Sequence, residues 1–288
     1  MSKPTVEDLF LFMEKRHQIY LDREAGKSYP WTDDPILGKF RFCNIYRELD
    51  TVTKWIREKW REPYEDHQYL WFAMAVARYI NFPETLAAIG FPHYGWERRD
   101  RDRAQEIMEG RLKQGKQVFT GAYMILGGNG ELGKIEDIVQ NTLGNVWRDR
   151  AIWLEDPPQT IQAATVWFTK HRGFGGFMAY EAVTDLRHTS WLRNAPDIMT
   201  WANAGPGAIR GLNRLYGFPL KKGMSQAKAL ILMQDILLQA TKRKTWIPDI
   251  QQRGLEMRDI EHSLCEFDKY QRVLLGEGTP RSLYKPQL

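Results

Sequence analysis

Apolar residues recur every three or four positions along most of the chain, which is the spacing of one buried helix face. Residues 5–26 show it first, with Thr5 as the expected N-cap and Gly26 as the end of the helix. A second stripe, formed by Phe42, Ile45, Leu49, Val52 and Ile56, predicts a longer helix within residues 33–60. Further helices are predicted at 66–80, 97–113, 158–171, 176–188, 205–216, 225–241 and 256–270.

Strand-like alternation of apolar and polar residues is nearly absent, so the pattern predicts an all-α protein. The one ambiguous run is VFTGAYMIL, residues 118–126. Pro157 and Pro158 indicate a boundary between an N-terminal helical half, residues 1–156, and a half that carries two glycine-rich turns, residues 157–288. We expect the two halves to form one compact unit.

Charge is distributed unevenly. The whole chain has a net charge of +5, yet residues 187–244 contain ten Lys or Arg against two acidic residues. The net charge of this segment, +8, therefore exceeds that of the whole chain, and the remaining residues together are slightly acidic. A clustered basic surface is typical of proteins that bind polyanions such as nucleic acids, although solvated basic faces are also common.

Several other classes of protein lack support. The two cysteines have no CxxC spacing and the six histidines no HExxH context, so neither a disulfide nor a zinc site is predicted. Residues 128–134 match G-x-x-x-x-G-K, but Ile135 replaces the Ser or Thr that would bind magnesium, which favours a glycine-rich surface loop over a phosphate-binding loop. We expect no exported leader, no membrane span and a reducing, cytoplasmic location.

The stretch TKHRGFGGFMAYEAVTDLRHT, residues 169–189, predicts a helix-hairpin-helix. Glycines let backbone N–H groups approach a phosphate closely, and the N-terminus of the following helix favours an anion. A plain corner between two packed helices would also favour glycine, so both interpretations remain open. The residues predicted to contact DNA here are Lys170, Arg172, Gly173, Gly175 and Gly176.

A second glycine turn follows in WANAGPGAIRGLNRLYG, residues 201–217. Gly205 and Gly207 flank a proline and start a helix that places Arg210 and Arg214 on one face. These four residues are predicted to grip a second phosphate. On the last predicted helix, Glu261 and Asp268 share a side, where they could hold a cation, orient an amine or act as a base. They could equally face water and pair with neighbouring cations.

Four blocks of this sequence, at residues 40–56, 173–189, 205–217 and 260–272, resemble the bacteriophage α-glutamyl/putrescinyl thymine pyrophosphorylases, or amino acid:DNA transferases. That family is related to the helical domain attached to 5-hydroxymethyluracil DNA kinases. The resemblance runs from about residue 35 to residue 285. It implies a helical fold similar to the helix-hairpin-helix DNA glycosylases.

The resemblance also implies a reaction on phage DNA in the infected bacterial cell. A separate kinase would first convert 5-hydroxymethyluracil in double-stranded DNA to 5-pyrophosphoryloxymethyluracil. The enzyme would then displace pyrophosphate with the amine of a free amino acid or polyamine, and extrusion of the nucleotide would expose the reacting methylene. No cofactor is required by this scheme, although Mg²⁺ could assist.

The demands of this reaction suggest roles for single residues. Glu181 or Asp185, on the helix after the hairpin, would be the base that deprotonates the amine. Glu261 and Asp268 would orient the donor ammonium or hold magnesium beneath the pyrophosphate. The departing pyrophosphate would be bound by Arg41, Asn44 and Arg47, with Arg187 in reserve.

Two other functions share these features. A DNA glycosylase would use the same hairpin and an acidic residue, but Phe177 stands where many bifunctional enzymes carry lysine. A non-catalytic DNA-binding protein would also use the hairpin, although carboxylates near DNA would repel phosphate. The donor amine is not selected by anything in the sequence.

Overall fold

The computed structural model describes residues 3–121, 127–280 and 282–284. Within these residues the chain is helical, with no strand beyond one isolated bridge between Phe40 and Leu283. This confirms the predicted all-α class. Residues 122–126 of the ambiguous apolar run lie outside the described ranges.

Eight of the nine predicted helices are present in the predicted order, and short helices that were not predicted lie between them. The first eight are α1 (Val6–Glu24), α2 (Pro35–Lys39), α3 (Thr51–Ile56), α4 (Leu70–Ile80), α5 (Pro83–Ile89), α6 (Arg98–Lys113), α7 (Gly130–Glu136) and α8 (Leu143–Arg148). The others are α9 (Arg150–Glu155), α10 (Ile161–Thr169), α11 (Gly176–Leu186), α12 (Pro206–Tyr216), α13 (Gln226–Lys242), α14 (Pro248–Arg253) and α15 (Met257–Leu274). A 3₁₀ turn at Arg47–Leu49 and π-helical segments at Arg57–Arg61 and Asp137–Thr142 complete the set.

The chain divides into two compact units. Unit 1 contains residues 1–50 and 199–288, and unit 2 contains residues 51–198. The boundary predicted between residues 156 and 157 falls inside unit 2. The two glycine turns therefore belong to different units, the hairpin to unit 2 and the Gly205–Gly207 turn to unit 1.

Helix α4 is the centre of unit 2. All eleven of its residues are buried, and it packs against α11, which also packs against α10. Aromatic rings fill the space around it, including Trp71 and Trp153, whose rings stack with centroids 4.7 Å apart. Such a core fixes the position of α11, because close-packed interiors allow little rearrangement.

Helix α15 is the centre of unit 1, where α1, α2, α12 and α13 pack against it. Helix α12 lies very close to α15, because the contacting positions of α12 are glycines without side chains. A Cβ atom added at Gly207 would lie 2.2 Å from Cys265 Sγ, and one added at Gly211 would lie 2.5 Å from the Leu264 carbonyl oxygen. Neither position has room for a side chain.

Two local predictions were wrong. The stripe from Phe42 to Ile56 is not one helix, because residues 40–46 are non-helical and α3 begins only at Thr51. Side chains satisfy the backbone there instead: Cys43 N donates to Glu266 Oε2 (2.9 Å) and Asn44 N to Asp50 Oδ1 (2.9 Å). The glycine-rich stretch at residues 128–134, expected to be a loop, is helical from Gly130 onward.

Candidate functional site

The hairpin of unit 2 presents basic side chains beside a helix N-terminus. Residues 170–175 connect α10 to α11, and the side chains of Lys170, Arg172 and Phe177 are exposed. Gly175 is the N-cap of α11 and no side chain caps this helix end. Backbone N–H groups at an uncapped N-terminus favour an anionic ligand. Arg172 is 71% exposed and contacts Asp137 at 3.4 Å, so the weak ion pair leaves most of its surface in solvent.

Different structural constraints apply to the glycines of this hairpin. Gly173 has φ +91°, and a Cβ atom there would lie 2.7 Å from Thr142 Cγ2 and 2.8 Å from Tyr79 Oη. The Tyr79 hydroxyl also donates to the Gly173 carbonyl (3.0 Å), and burial raises the pKa of this tyrosine. Gly175, in contrast, is exposed with open space around its Cα. Packing within unit 2 therefore explains Gly173, whereas Gly175 offers a backbone that a ligand can approach. Gly176 is half-buried as the first residue of α11.

Asp185, predicted to be a base, is a buried member of an ion-pair cluster. Arg78 donates to both carboxylate oxygens, from Nε to Oδ2 and from Nη2 to Oδ1 (2.9 Å). Arg61 Nη1 donates to Oδ1 at 3.3 Å, and Arg78 also contacts Thr53 and Asn81. All three charged side chains are 3% exposed or less. Both carboxylate oxygens are therefore engaged by arginines inside the core, which argues against a contact with a substrate amine.

Glu181 and Arg187 lie on either side of Asp185 along the chain. Glu181 is one helical turn closer to the hairpin, about 6 Å along the axis, and is 7% exposed. Arg187 is the C-cap of α11, at the helix end opposite the hairpin, and is half-buried. Among these residues Glu181 is the carboxylate nearest the hairpin turn.

In unit 1 the second glycine turn is tied to α15. Gly205 N donates to Glu261 Oε1 (3.1 Å), so this carboxylate caps the start of α12. Gly207 is buried against Cys265. Packing of α12 on α15 therefore accounts for Gly207, and the backbone N–H of Gly205 already has an acceptor.

Arg210, Arg214 and Asp268 form one cluster. Arg210 Nε and Arg214 Nε each lie 2.8 Å from a different oxygen of Asp268, which is fully buried. Arg214 also bonds Glu277 and is 6% exposed. The charge of Arg214 is thus balanced inside unit 1, which argues against a direct contact with phosphate. Arg210 is half-buried and keeps part of its guanidinium in solvent. Arg272 Nε also lies 3.5 Å from Asp268 Oδ2, and a carboxylate with three arginines on its oxygens is unsuited to hold a donor ammonium.

Three of the four residues predicted to bind pyrophosphate lie before α3, Arg41 and Asn44 in the non-helical segment and Arg47 at the start of the 3₁₀ turn. Arg41 is exposed, whereas Asn44 and Arg47 are buried. Asn44 Nδ2 donates to the Leu49 carbonyl (3.0 Å) and to Asp50 Oδ1 (3.0 Å). The amide of Asn44 therefore shapes the turn that leads into the 3₁₀ segment.

The same segment contributes to a group of potential metal ligands. Within the described residues, one such group occurs: a ligand atom each from Cys43, Asp50 and His262, all within 4.8 Å of one another. Burial raises the pKa of the Cys43 thiol and of the Asp50 carboxyl. Burial and then the nearby Arg47 and Arg258 lower the pKa of His262 well below its ordinary value, so its ring is neutral. Sequence spacing gave no signal for this group, because His262 is more than 200 positions from the other two.

Comparison with known proteins decides the family. The model of the 5-hmdU DNA kinase helical domain matches residues 3–279. The chain belongs to this family. The match confirms the relation to the kinase helical domains that the four sequence blocks indicated. Among curated proteins, this family member is 26% identical over 282 residues to the 5-hmdU DNA kinase of Bacillus phage SP10.

The similarity covers 91% of this 5-hmdU DNA kinase helical-domain protein but only 44% of the Bacillus phage relative. The chain therefore spans less than half of that relative's length. No solved structure matches it. Within the described residues, no helix of this family member is long and apolar enough to cross a membrane.

Proposed function

We propose that this protein is a transferase of a phage thymine hypermodification pathway, acting on double-stranded DNA in the infected host cell. It replaces the pyrophosphate of 5-pyrophosphoryloxymethyluracil with the amine of an amino acid or polyamine. A separate kinase supplies the pyrophosphorylated base. Membership of the 5-hmdU DNA kinase helical-domain family supports the pathway.

The observation that carries the DNA part of the proposal is the exposed hairpin of unit 2. Lys170 and Arg172 flank the uncapped N-terminus of α11, and Gly175 leaves its backbone accessible. Cations, amide donors and an open backbone together suit a phosphate of the DNA strand. The exposed Phe177 beside them is an apolar surface that can pack against a base or sugar.

The chemical step is a substitution at the methylene carbon on C5 of the base. The amine nitrogen loses a proton to a base and forms a C–N bond, while the C–O bond breaks and pyrophosphate leaves with the electron pair. Extruding the nucleotide costs a few kcal/mol, which phosphate contacts on the hairpin would offset. Cationic groups stabilise the charge that builds up on the leaving group.

Burial and ion pairing support some of the candidate residues over others in these proposed roles. Glu181 is the better base on α11, because Asp185 is held by two arginines and serves to position the helix. Within its segment of unit 1, Arg41 suits contact with pyrophosphate better than Arg47, because Arg41 is exposed and Arg47 is buried. Glu261, a half-buried residue of α15 that accepts from Gly205 N, is kept as the donor-orienting carboxylate in this proposal.

The test is direct. DNA containing 5-hydroxymethyluracil is pyrophosphorylated with a kinase, incubated with this protein and glycine, glutamate or putrescine, and digested to nucleosides for mass spectrometry. We expect one new aminomethyl nucleoside and an equal amount of released pyrophosphate. An unchanged nucleoside profile with every amine would refute the transferase activity, and abasic sites in its place would indicate a glycosylase.

A further inference from the structure

The group formed by Cys43, Asp50 and His262 brings three different metal-ligating side chains together from two distant parts of unit 1. Cys43 and Asp50 come from the segment before α3, and His262 from the second turn of α15. Their ligand atoms all lie within 4.8 Å of one another. Ligands around a tetrahedral zinc ion are about 3.4–3.8 Å apart, as follows from bonds of about 2.0–2.3 Å. Shifts of about an ångström bring the three atoms to bonding distance.

Mutual proximity favours chelation over proton relay. In a relay of cysteine, histidine and carboxylate, the two outer groups bond opposite nitrogens of the imidazole and stay far from each other. Here each residue places a single atom near both others. Three ligand atoms that converge in this way can share one ion.

One nitrogen of the cluster is buried without a hydrogen-bond partner. His262 Nε2 is shielded from solvent and finds no donor or acceptor within the described residues. Buried polar atoms of native proteins nearly always have a partner, so an orphaned one points to a missing ligand. This observation is independent of the clustering of the three side chains.

The surroundings orient the other ligands. Asn44 donates to Asp50 twice, from N and from Nδ2, and both bonds go to Oδ1. Glu266 accepts from Cys43 N (2.9 Å) and pairs with Lys269 (2.6 Å). Such supporting hydrogen bonds are typical of metal sites, where they fix the direction of each ligand.

We infer that Cys43, Asp50 and His262 bind one Zn²⁺ ion through Sγ, a carboxylate oxygen and an imidazole nitrogen. Thiolate and imidazole together select zinc over magnesium or calcium, which prefer oxygen ligands. Binding releases the thiol proton to solvent. Three protein ligands leave a fourth position for water or for an anion, as in zinc sites that act on substrates.

The experiment uses the full chain after treatment with a chelator. Zn²⁺ is added, excess metal is removed, and bound metal is measured by mass spectrometry; a parallel titration with Co²⁺ follows the thiolate-to-metal absorption. We expect one equivalent of metal. Cys43→Ser, Asp50→Asn and His262→Ala should each weaken binding by at least about 100-fold, because a lost ligand costs more than a lost supporting hydrogen bond.

Cys265→Ser is the matched control, because Cys265 is the only other cysteine and lies on the same helix as His262. It should bind zinc and give the cobalt absorption like the wild type. A second measurement needs no variant and so does not depend on whether the variants fold. The wild-type protein is alkylated with and without zinc, and the modified cysteines are identified by peptide mass. Zinc should slow alkylation at Cys43 and not at Cys265.

Three results would overturn the inference: no stoichiometric binding by the wild type, wild-type binding by Cys43→Ser, or zinc that leaves the alkylation of Cys43 unchanged. Metal binding is measured without DNA or amine. Its outcome is therefore separate from that of the transferase assay, and either proposal can fail alone.

Discussion

Arg78 binds the carboxylate of Asp185 through both Nε and Nη2, although the two residues are 107 positions apart and each is about 1% exposed. The pair joins α4, the central helix of unit 2, to the helix that follows the hairpin. Arg61 adds a third charge from the neighbouring π-helical segment. The hairpin therefore rests on a charged contact inside an otherwise apolar core.

Asp185→Asn should destabilise the protein strongly. It removes the buried anion that Arg78 and Arg61 both contact, and breaking a buried ion pair typically costs about 3–5 kcal/mol. The free energy of unfolding, measured with urea and far-UV circular dichroism, checks this. Asp156→Asn is the control, because Asp156 is exposed in the same unit and its loss should change stability by less than about 0.5 kcal/mol. Equal stability of the two variants would show that the cluster does not form.

Two glycine substitutions in unit 2 should have opposite effects. Gly173→Ala forces a Cβ against Thr142 and Tyr79 at positive φ, so we expect a loss of about 1–3 kcal/mol. Gly110→Ala, in helix α6 with open space around it, should gain up to about 1 kcal/mol. Thermal and urea unfolding measure both, and a gain from Gly173→Ala would contradict the hairpin geometry.

Lys170→Ala and Arg172→Ala should weaken DNA binding in a salt-dependent way. Each phosphate contact contributes about 0.9 to the slope of log K against log salt concentration. In fluorescence anisotropy titrations, each single variant should make this slope less steep by about 0.9, and the double variant should make it less steep by about twice as much. Lys116→Ala, an exposed lysine elsewhere in unit 2, should leave the slope unchanged. Identical slopes for all variants would place the DNA surface elsewhere.

His17 should make stability fall as pH decreases. Its ring is fully buried on α1, with Nε2 2.7 Å from Asp249 Oδ2, and burial lowers its pKa despite that carboxylate. Below about pH 6.5 the unfolded chain takes up a proton that the folded protein does not, so unfolding becomes more favourable.

The contribution of His17 is at most about 1.4 kcal/mol per pH unit. Replacing it in His17→Gln should flatten the dependence of unfolding free energy on pH between 7 and 5, measured by urea titration at each pH. A slope as steep as that of the wild type would show that His17 is not the group that titrates.

The sequence predicted most long helices because their apolar stripes are local. α12, α13 and α15 begin within about one residue of the predicted starts. The prediction of one helix from Phe42 to Ile56 failed for a physical reason, since the backbone N–H groups of Cys43 and Asn44 donate to the side chains of Glu266 and Asp50 and not to helix carbonyls. Only the fold brings Glu266 to that segment.

The candidate site was predictable in part. Exposed Lys170 and Arg172 beside an uncapped helix follow from the glycine-rich pattern. The pairing of Asp185 with Arg78 could not be predicted from the sequence, because the position of a carboxylate on a helix does not indicate which distant residue it will contact. The same applies to Cys43 and His262, whose ligand atoms meet only after α15 has packed against the N-terminal segment.

Unit 1 is assembled from the first 50 and the last 90 residues, with unit 2 inserted between them. During synthesis the ribosome releases every residue of unit 2 before α15, to which α1 must dock. Domains commonly fold as they emerge, so unit 2 is set to fold first while α1 waits for its partner. A nascent chain stalled before residue 257 would thus carry a finished hairpin and an N-terminal helix whose apolar face is still open to chaperones.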